Sequence, residues 1–182
     1  MMGGDMSDDH PQPPLPIPVQ AWIAERLPDI QVGRAAPMLD DALRVVVVAG
    51  RGPRSDWHTN DVVELFYQLT GDIAVLLPGP DGATADPREV VVREGELWLA
   101  PSGLPHAPQR PVGSIGLVIE PARAAGEGES FTWRCAGCGT VLRTVAAARV
   151  EPAHLRAARE TLRADPGART CAACGTVASE PT

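Results

Sequence analysis

His58, Glu64 and His106 are the residues through which this chain could do chemistry. They stand in two stretches framed by glycine and proline, Gly52-Pro-Arg-Ser-Asp-Trp-His58-Thr-Asn-Asp-Val-Val-Glu64 and Gly95-Glu-Leu-Trp-Leu-Ala-Pro101-Ser-Gly103-Leu-Pro-His106. Two imidazoles and one carboxylate make the facial triad that holds Fe(II) and leaves coordination positions open for O2 and a substrate. His58 and Glu64 lie six residues apart, an even offset that places both on one face if the segment stays extended. His106 would enter from another strand just after the Pro101–Gly103 turn, where glycine permits a tight bend. Taken singly, each residue reads as an ordinary surface or core residue. Both frames together favour a metal site.

Charged residues near the triad suggest what would bind beside the metal. Arg54 lies four residues before His58 and Arg110 four after His106, so both can reach the same hollow. Arginine presents a planar fork suited to a carboxylate. Glu120 ends the apolar run Ile115-Gly-Leu-Val-Ile, where a carboxylate could accept a proton or a hydrogen bond from a substrate. Asp56, two residues before His58, is placed to orient a ligand or Arg54. Leu65, Phe66 and Tyr67 read as packing residues.

The four cysteines form two C-x-x-C pairs, Cys135/Cys138 and Cys171/Cys174, each followed by glycine. Two such knuckles make a four-thiolate tetrahedral site for iron or zinc. A helical pattern over 152–164 fills the gap between them, and His154 reads as a surface residue at its start. The tail has few apolar residues, so the metal reads as a structural staple.

The elements that must position these groups are short. Residues 1–18 are rich in Pro, Gly and Asp and read as a disordered arm that includes His10. Residues 19–27 read as a short amphipathic helix ending before Pro28. Strand-like runs follow over 43–49, 65–69, 73–77, 89–93, 97–100 and 115–120, separated by glycine- and proline-rich turns. Many short strands at this spacing imply an all-β antiparallel sandwich or barrel. Residues 121–130 read as a linker, which divides the chain into an arm (1–18), a barrel (19–125) and an extension (126–182). The chain has 182 residues and a net charge of −7, which gives it no general attraction to nucleic acid or anionic lipid. No run reaches the roughly 20 apolar residues that span a bilayer. No secretory pattern opens the chain, and a cytoplasmic protein is expected.

The two framed stretches resemble the paired signature motifs of the cupin superfamily, whose fold is a double-stranded β-helix or jelly-roll barrel. Asn60 stands where the first motif usually carries a second histidine, and Arg110 where the second usually ends in asparagine. More narrowly, Arg54-x-x-x-His58, Glu64-Leu-Phe-Tyr-Gln68, Pro105-His106-Ala-Pro-Gln-Arg110 and Gly116-Leu-Val-Ile-Glu120 resemble the 3-hydroxyanthranilate 3,4-dioxygenase family, together with the four-cysteine tail of its bacterial form. The resemblance spans about 19–178 and is weakest over 32–41, where Gln31-Val-Gly-Arg34 stands in place of the family's Pro-Pro-Val-Gly-Asn run. It implies an extradiol-type ring-opening enzyme that turns 3-hydroxyanthranilate and O2 into 2-amino-3-carboxymuconate semialdehyde, the precursor of quinolinate. It further implies Fe(II) on His58, Glu64 and His106, with Arg54 and Arg110 on the substrate carboxylate. Glu120 would be the catalytic carboxylate, Glu64 and Glu120 would face the substrate, a second iron or zinc would sit on the cysteines remote from catalysis, and the protein would be a homodimer. Two other readings stay open: a cupin dioxygenase for another ortho-substituted aromatic acid, and a non-catalytic cupin that binds a small acid.

Overall fold

Apolar and polar residues alternate along the middle of the chain, and the alternation decides which side chains meet. The computed structural model describes residues 15–31, 35–80, 82 and 84–181. Most of the arm expected over 1–18, with His10, and part of the divergent 31–34 run lie outside the described residues. The elements are α1 (Val19–Gln31), β1 (Ala36–Asp40), β2 (Leu43–Ala49), β3 (Asp56–Asn60), β4 (Glu64–Thr70), β5 (Ile73–Leu77), β6 (Arg88–Val92), β7 (Leu97–Ala100), β8 (Ala107–Gln109), β9 (Ile115–Pro121), β10 (Glu129–Arg134), β11 (Val141–Ala147), α2 (Pro152–Ala164) and α3 (Pro166–Arg169).

One antiparallel layer runs β1-β2-β9-β4-β7. The ladders β11-β10-β3 and β6-β5-β8 join through the bridge between His58 and His106, whose main chains exchange two N–H···O bonds of 2.8 Å. That join makes a second layer, β11-β10-β3-β8-β5-β6. Strand parity then sorts the side chains. Val45, Val47, Ala49 and Leu117 turn outward beneath Ile23 and Ile30 of α1. Phe66, Trp98, Ala100 and Val118 turn inward and meet Ile73, Val75, Leu77 and Val92 of the opposite layer. Burial of each such side chain contributes roughly 1.5–3 kcal/mol. The result is an all-β barrel of two antiparallel layers with a helix at its N-terminal end and a four-cysteine extension.

Two local expectations change. The helix runs past Pro28 to Gln31, although proline removes one N–H from the ladder. Ile30, fully shielded against the barrel, supplies the packing that carries the extra turn. The residues read as a linker lead straight into β10, which pairs residue for residue with β3. The barrel layer is therefore continuous across the boundary expected at 125/126. Beyond it, α2 docks Ala158 and Leu162 onto Trp133, with Phe131 and Val145 alongside. Among the described residues no helix is long and apolar enough to cross a membrane.

Ile30→Ala should lower unfolding stability by about 2–5 kcal/mol. Urea denaturation measures this, and an unchanged midpoint would mean that the turn beyond Pro28 adds nothing to the core.

Candidate metal and substrate site

The structure brings His58, Glu64 and His106 together, by a different route from the one the spacing suggests. His58 and Glu64 do not share a strand. They lie on β3 and β4, in opposite layers, and face each other across the barrel. His58 and His106 are a directly opposed cross-strand pair, so their side chains leave the sheet on the same face. Glu64 Oε2 lies 3.3 Å from His58 Nδ1 and 3.1 Å from His106 Nε2. All three residues are buried, and their ligand atoms lie within 4.8 Å of one another.

The far nitrogen of each ring is already engaged. His106 Nδ1 lies 2.9 Å from the Leu104 carbonyl, and His58 Nε2 lies 2.9 Å from Glu129 Oε2. Acceptors on the outer nitrogens hold N–H groups there, and the inner nitrogens face Glu64. Glu64 Oε2 and His106 Nε2 are buried without a hydrogen-bond partner of acceptable geometry. Buried polar atoms of that kind are costly unless something satisfies them. A cation among the three donors would do so, and the donor set fits a metal with open coordination positions.

Charge explains the remaining titration behaviour. Burial opposes the imidazolium of His58, but Glu64 and Glu129 outweigh it and hold the pKa up to about 9. Burial likewise opposes ionisation of Glu64, yet His58 and His106 hold its pKa far below the usual carboxylate range.

Arg110 and Arg54 lie beside the triad. Arg110 is 7 % exposed, donates to Gln68 Oε1 at 3.2 Å, and sits 5.7 Å above the Phe66 ring. No carboxylate among the described residues pairs with it within 4.0 Å. Burial and the nearby charge of Arg54 lower its pKa to about 10, so it stays charged at neutral pH. Gly116 makes room for this arrangement, because a Cβ there would collide with Gln68 Oε1 and press on Arg110 Nη1. Arg54 pairs with the wholly buried Asp56 and lies 5.4 Å over the Phe131 ring, which itself stacks on His58 at 4.4 Å.

Glu120 reaches the interior on the same parity as Val118, but it arrives fully engaged. Asn60 donates to Oε2 at 2.6 Å, Arg123 to Oε2 at 3.0 Å, and Arg44 to Oε1 at 3.4 Å. Asn60, at the position of the motif's second histidine, thus serves a carboxylate. Sequence reasoning missed Arg123, Glu129, Phe131 and Arg159. Glu129 and Arg123 were hidden in a Gly/Ala/Glu run with linker composition. One usable signal was the alternation Glu129, Phe131, Trp133 leading into the first knuckle.

The second cluster is built from two matching turns. Cys135 N–H bonds the Thr140 carbonyl at 2.8 Å, and Cys171 N–H the Thr176 carbonyl at 2.9 Å. Gly139 and Gly175 take φ of 74° and 73°, where a side chain would be strained. Cys135 and Cys174 Sγ lie 3.6 Å apart, Cys138 and Cys171 Sγ 3.5 Å apart, and all four thiols are free. The hydroxyl and N–H of Thr140 lower the pKa of Cys138, and those of Thr176 do the same for Cys174. Burial pushes the Cys135 thiol the other way, up to about 11, so the cluster as a set of four sulfur donors, and not each thiol alone, is what suits a metal. His154 is exposed on α2.

Comparison with known proteins follows from this geometry. The family model described as 3-hydroxyanthranilic acid dioxygenase matches residues 13–149. A Ruegeria pomeroyi protein named 3-hydroxyanthranilate 3,4-dioxygenase is 40 % identical over 162 residues, which cover 87 % of this chain and 88 % of that one. A Brucella anthropi protein of the same name is also 40 % identical, with the same coverage. Among solved structures, a cupin-2 domain protein from Shewanella frigidimarina is similar over 48 % of this chain and 79 % of its own, with 17 % identity and a TM-score of 0.41.

The His58 contacts set a pH dependence in the metal-free protein. Its pKa is raised from 6.5 to about 9, so its stabilising contribution is fully present below pH 6.5 and is lost as pH rises through about 9. The total change should be about 3 kcal/mol. Thermal melts of the apoprotein from pH 6 to 10 should show this decline, and Glu129→Ala should move it to lower pH. Superimposable wild-type and variant profiles would remove Glu129 from the account.

Proposed function

The chain belongs to the 3-hydroxyanthranilic acid dioxygenase family, and from that premise we propose how its residues open the ring of 3-hydroxyanthranilate with O2. In this reaction the bond between ring carbons 3 and 4 breaks and both oxygen atoms enter the product, 2-amino-3-carboxymuconate semialdehyde. The observation that carries the reading is the meeting of three buried donors with a buried, carboxylate-free Arg110. We assign His58, Glu64 and His106 to Fe(II). When bound, the ion supplies open positions and electron exchange with O2.

The chain's own groups do the rest. Arg110 offers a charged fork to the substrate carboxylate, and Arg54 a second. The substrate's anion then supplies the counter-charge that Arg110 lacks within the protein. Phe66, under Arg110, and Phe131, stacked on His58, make the surroundings of these groups apolar, which strengthens each of these contacts. Glu120, held by Arg44 and Arg123, is the carboxylate we assign to accept a hydrogen bond or proton from the ring hydroxyl or amine. Glu64 faces the substrate as well as the ion. The four cysteines hold a second iron or zinc as a staple for the extension. Free thiols in matched pairs suit a reducing compartment, so cytoplasmic placement belongs to the same proposal, as does a homodimer.

The test is oxygen uptake by protein reconstituted anaerobically with Fe(II), started with 3-hydroxyanthranilate. Glu64→Ala should abolish both iron retention and uptake, and a variant that keeps both would remove Glu64 from the ligand set. Arg110→Ala should raise KM at least tenfold. An unchanged KM would show that this guanidinium does not meet the carboxylate.

A further inference from the structure

Asp56 is wholly buried, and two guanidinium groups share it. Its Oδ2 accepts from Nη2 of Arg54, and its Oδ1 from Nη2 of Arg159 at 3.3 Å. Arg159 stands on α2, between the two cysteine knuckles and one residue from the buried Ala158. That helix reaches the barrel because Ala158 and Leu162 pack on Trp133, whose cross-strand partner on β3 is Asp56. The extension therefore delivers a cation to the residue that holds Arg54.

We infer that Arg159 is a positioning residue for the substrate carboxylate, acting through Asp56 on Arg54. This rests on the proposed dioxygenase reading, in which Arg54 meets that carboxylate. A buried carboxylate facing one arginine is satisfied by the bidentate pair, and the arginine's charge is spent on it. Here Arg159 takes one oxygen and leaves Arg54 bonded through the other. Arg54 Nε remains buried with no hydrogen-bond partner. The local sum of two cations and one anion leaves a net positive charge in a chain whose own net charge is −7. Arg51 stands in the same field: burial lowers its pKa, and repulsion from Arg159 and Arg54 adds to this. Low-dielectric walls around such a group focus its attraction on an anion. Arg54 is also held over Phe131, the ring stacked on His58, so the available donors stand at the edge of the triad.

The experiment uses the full-length protein with both metal sites filled, and compares two ligands. One is 3-hydroxyanthranilate. The other is 2-aminophenol, which keeps the hydroxyl and amine but lacks the carboxylate. Arg159→Ala should raise KM and Kd for 3-hydroxyanthranilate about tenfold, change kcat less than about twofold, and leave the Kd of 2-aminophenol unaltered. Arg159→Lys keeps the charge and the fold while losing the planar fork, and should fall between wild type and Ala. Equal weakening of both ligands would reduce Arg159 to a structural role and overturn the inference, as would unchanged binding of 3-hydroxyanthranilate by both variants. Wild-type protein that binds neither ligand would overturn the dioxygenase reading itself. Wild-type protein that prefers the carboxylated ligand, with variants that prefer it equally, would overturn only the role of Arg159.

Discussion

A carboxylate 4 % exposed inside a β-barrel must be held by something, and much of this molecule can be read as the means of holding Glu64. Two imidazoles face it, one from β3 and one from the residue just before β8, joined side by side by their own main-chain bonds. Removing an ion from water costs several kcal/mol unless partners replace the lost hydration. His58 provides charge when metal-free and a lone pair when deprotonated, so one side chain can meet the same need in both states. The acceptors behind the rings, the Leu104 carbonyl and Glu129, fix which nitrogen faces inward. Without them the tautomers would be free to exchange, and the donors would be only intermittently aligned.

This arrangement needs two layers. Three donors on one strand would be spread over more than 10 Å, since each residue advances about 3.3 Å. Facing sheets bring Glu64 of β4 within 3.3 Å of His58 on β3, with only the turn between them in sequence. The same requirement draws the extension inward. Strand β10 supplies Glu129 and Phe131 to the outer side of His58, and α2 supplies Arg159 to Asp56. The four-cysteine cluster at the far end of that strand brings together the turn into which β10 runs and the turn that follows α2 and α3.

The chemistry was more legible in the sequence than the geometry that produces it. His58, Glu64, His106 and the cysteine pairs have residue types that rarely occur together at such spacing without a metal. Strands 43–49, 73–77 and 97–100 and the helix over 152–164 are bounded by turn residues and fall at the same limits in the structure. Even-offset counting reached the right pairing for Glu64 by the wrong path, because it assumed one extended segment where the chain turns at 61–63 and changes layer. The 121–130 run shows why composition misleads: glycine and alanine suggest a linker, yet Arg123 and Glu129 inside it bind Asn60, Glu120 and His58. Asn60 and His58 lie 63 and 71 residues from those partners, and no local pattern encodes such contacts.

The distribution of arginine narrows what the hollow can accept. Among the described residues, Glu120 is shared by Arg44 and Arg123, Asp56 by Arg54 and Arg159, and Glu64 by two histidines. Each buried acid thus has at least two partners that can carry positive charge. Arg110 is the reverse case, a buried cation whose contacts among the described residues are an amide oxygen and the face of a ring, with the charge of Glu64 acting on it from beyond salt-bridge distance. An amide and an aromatic face together recover part of the hydration a guanidinium loses, but not its counter-charge. Arg110, just after β8, carries that cost where its side chain meets Gln68 and Phe66 of β4. A neutral ligand would leave the cost in place, and a planar acid would remove it.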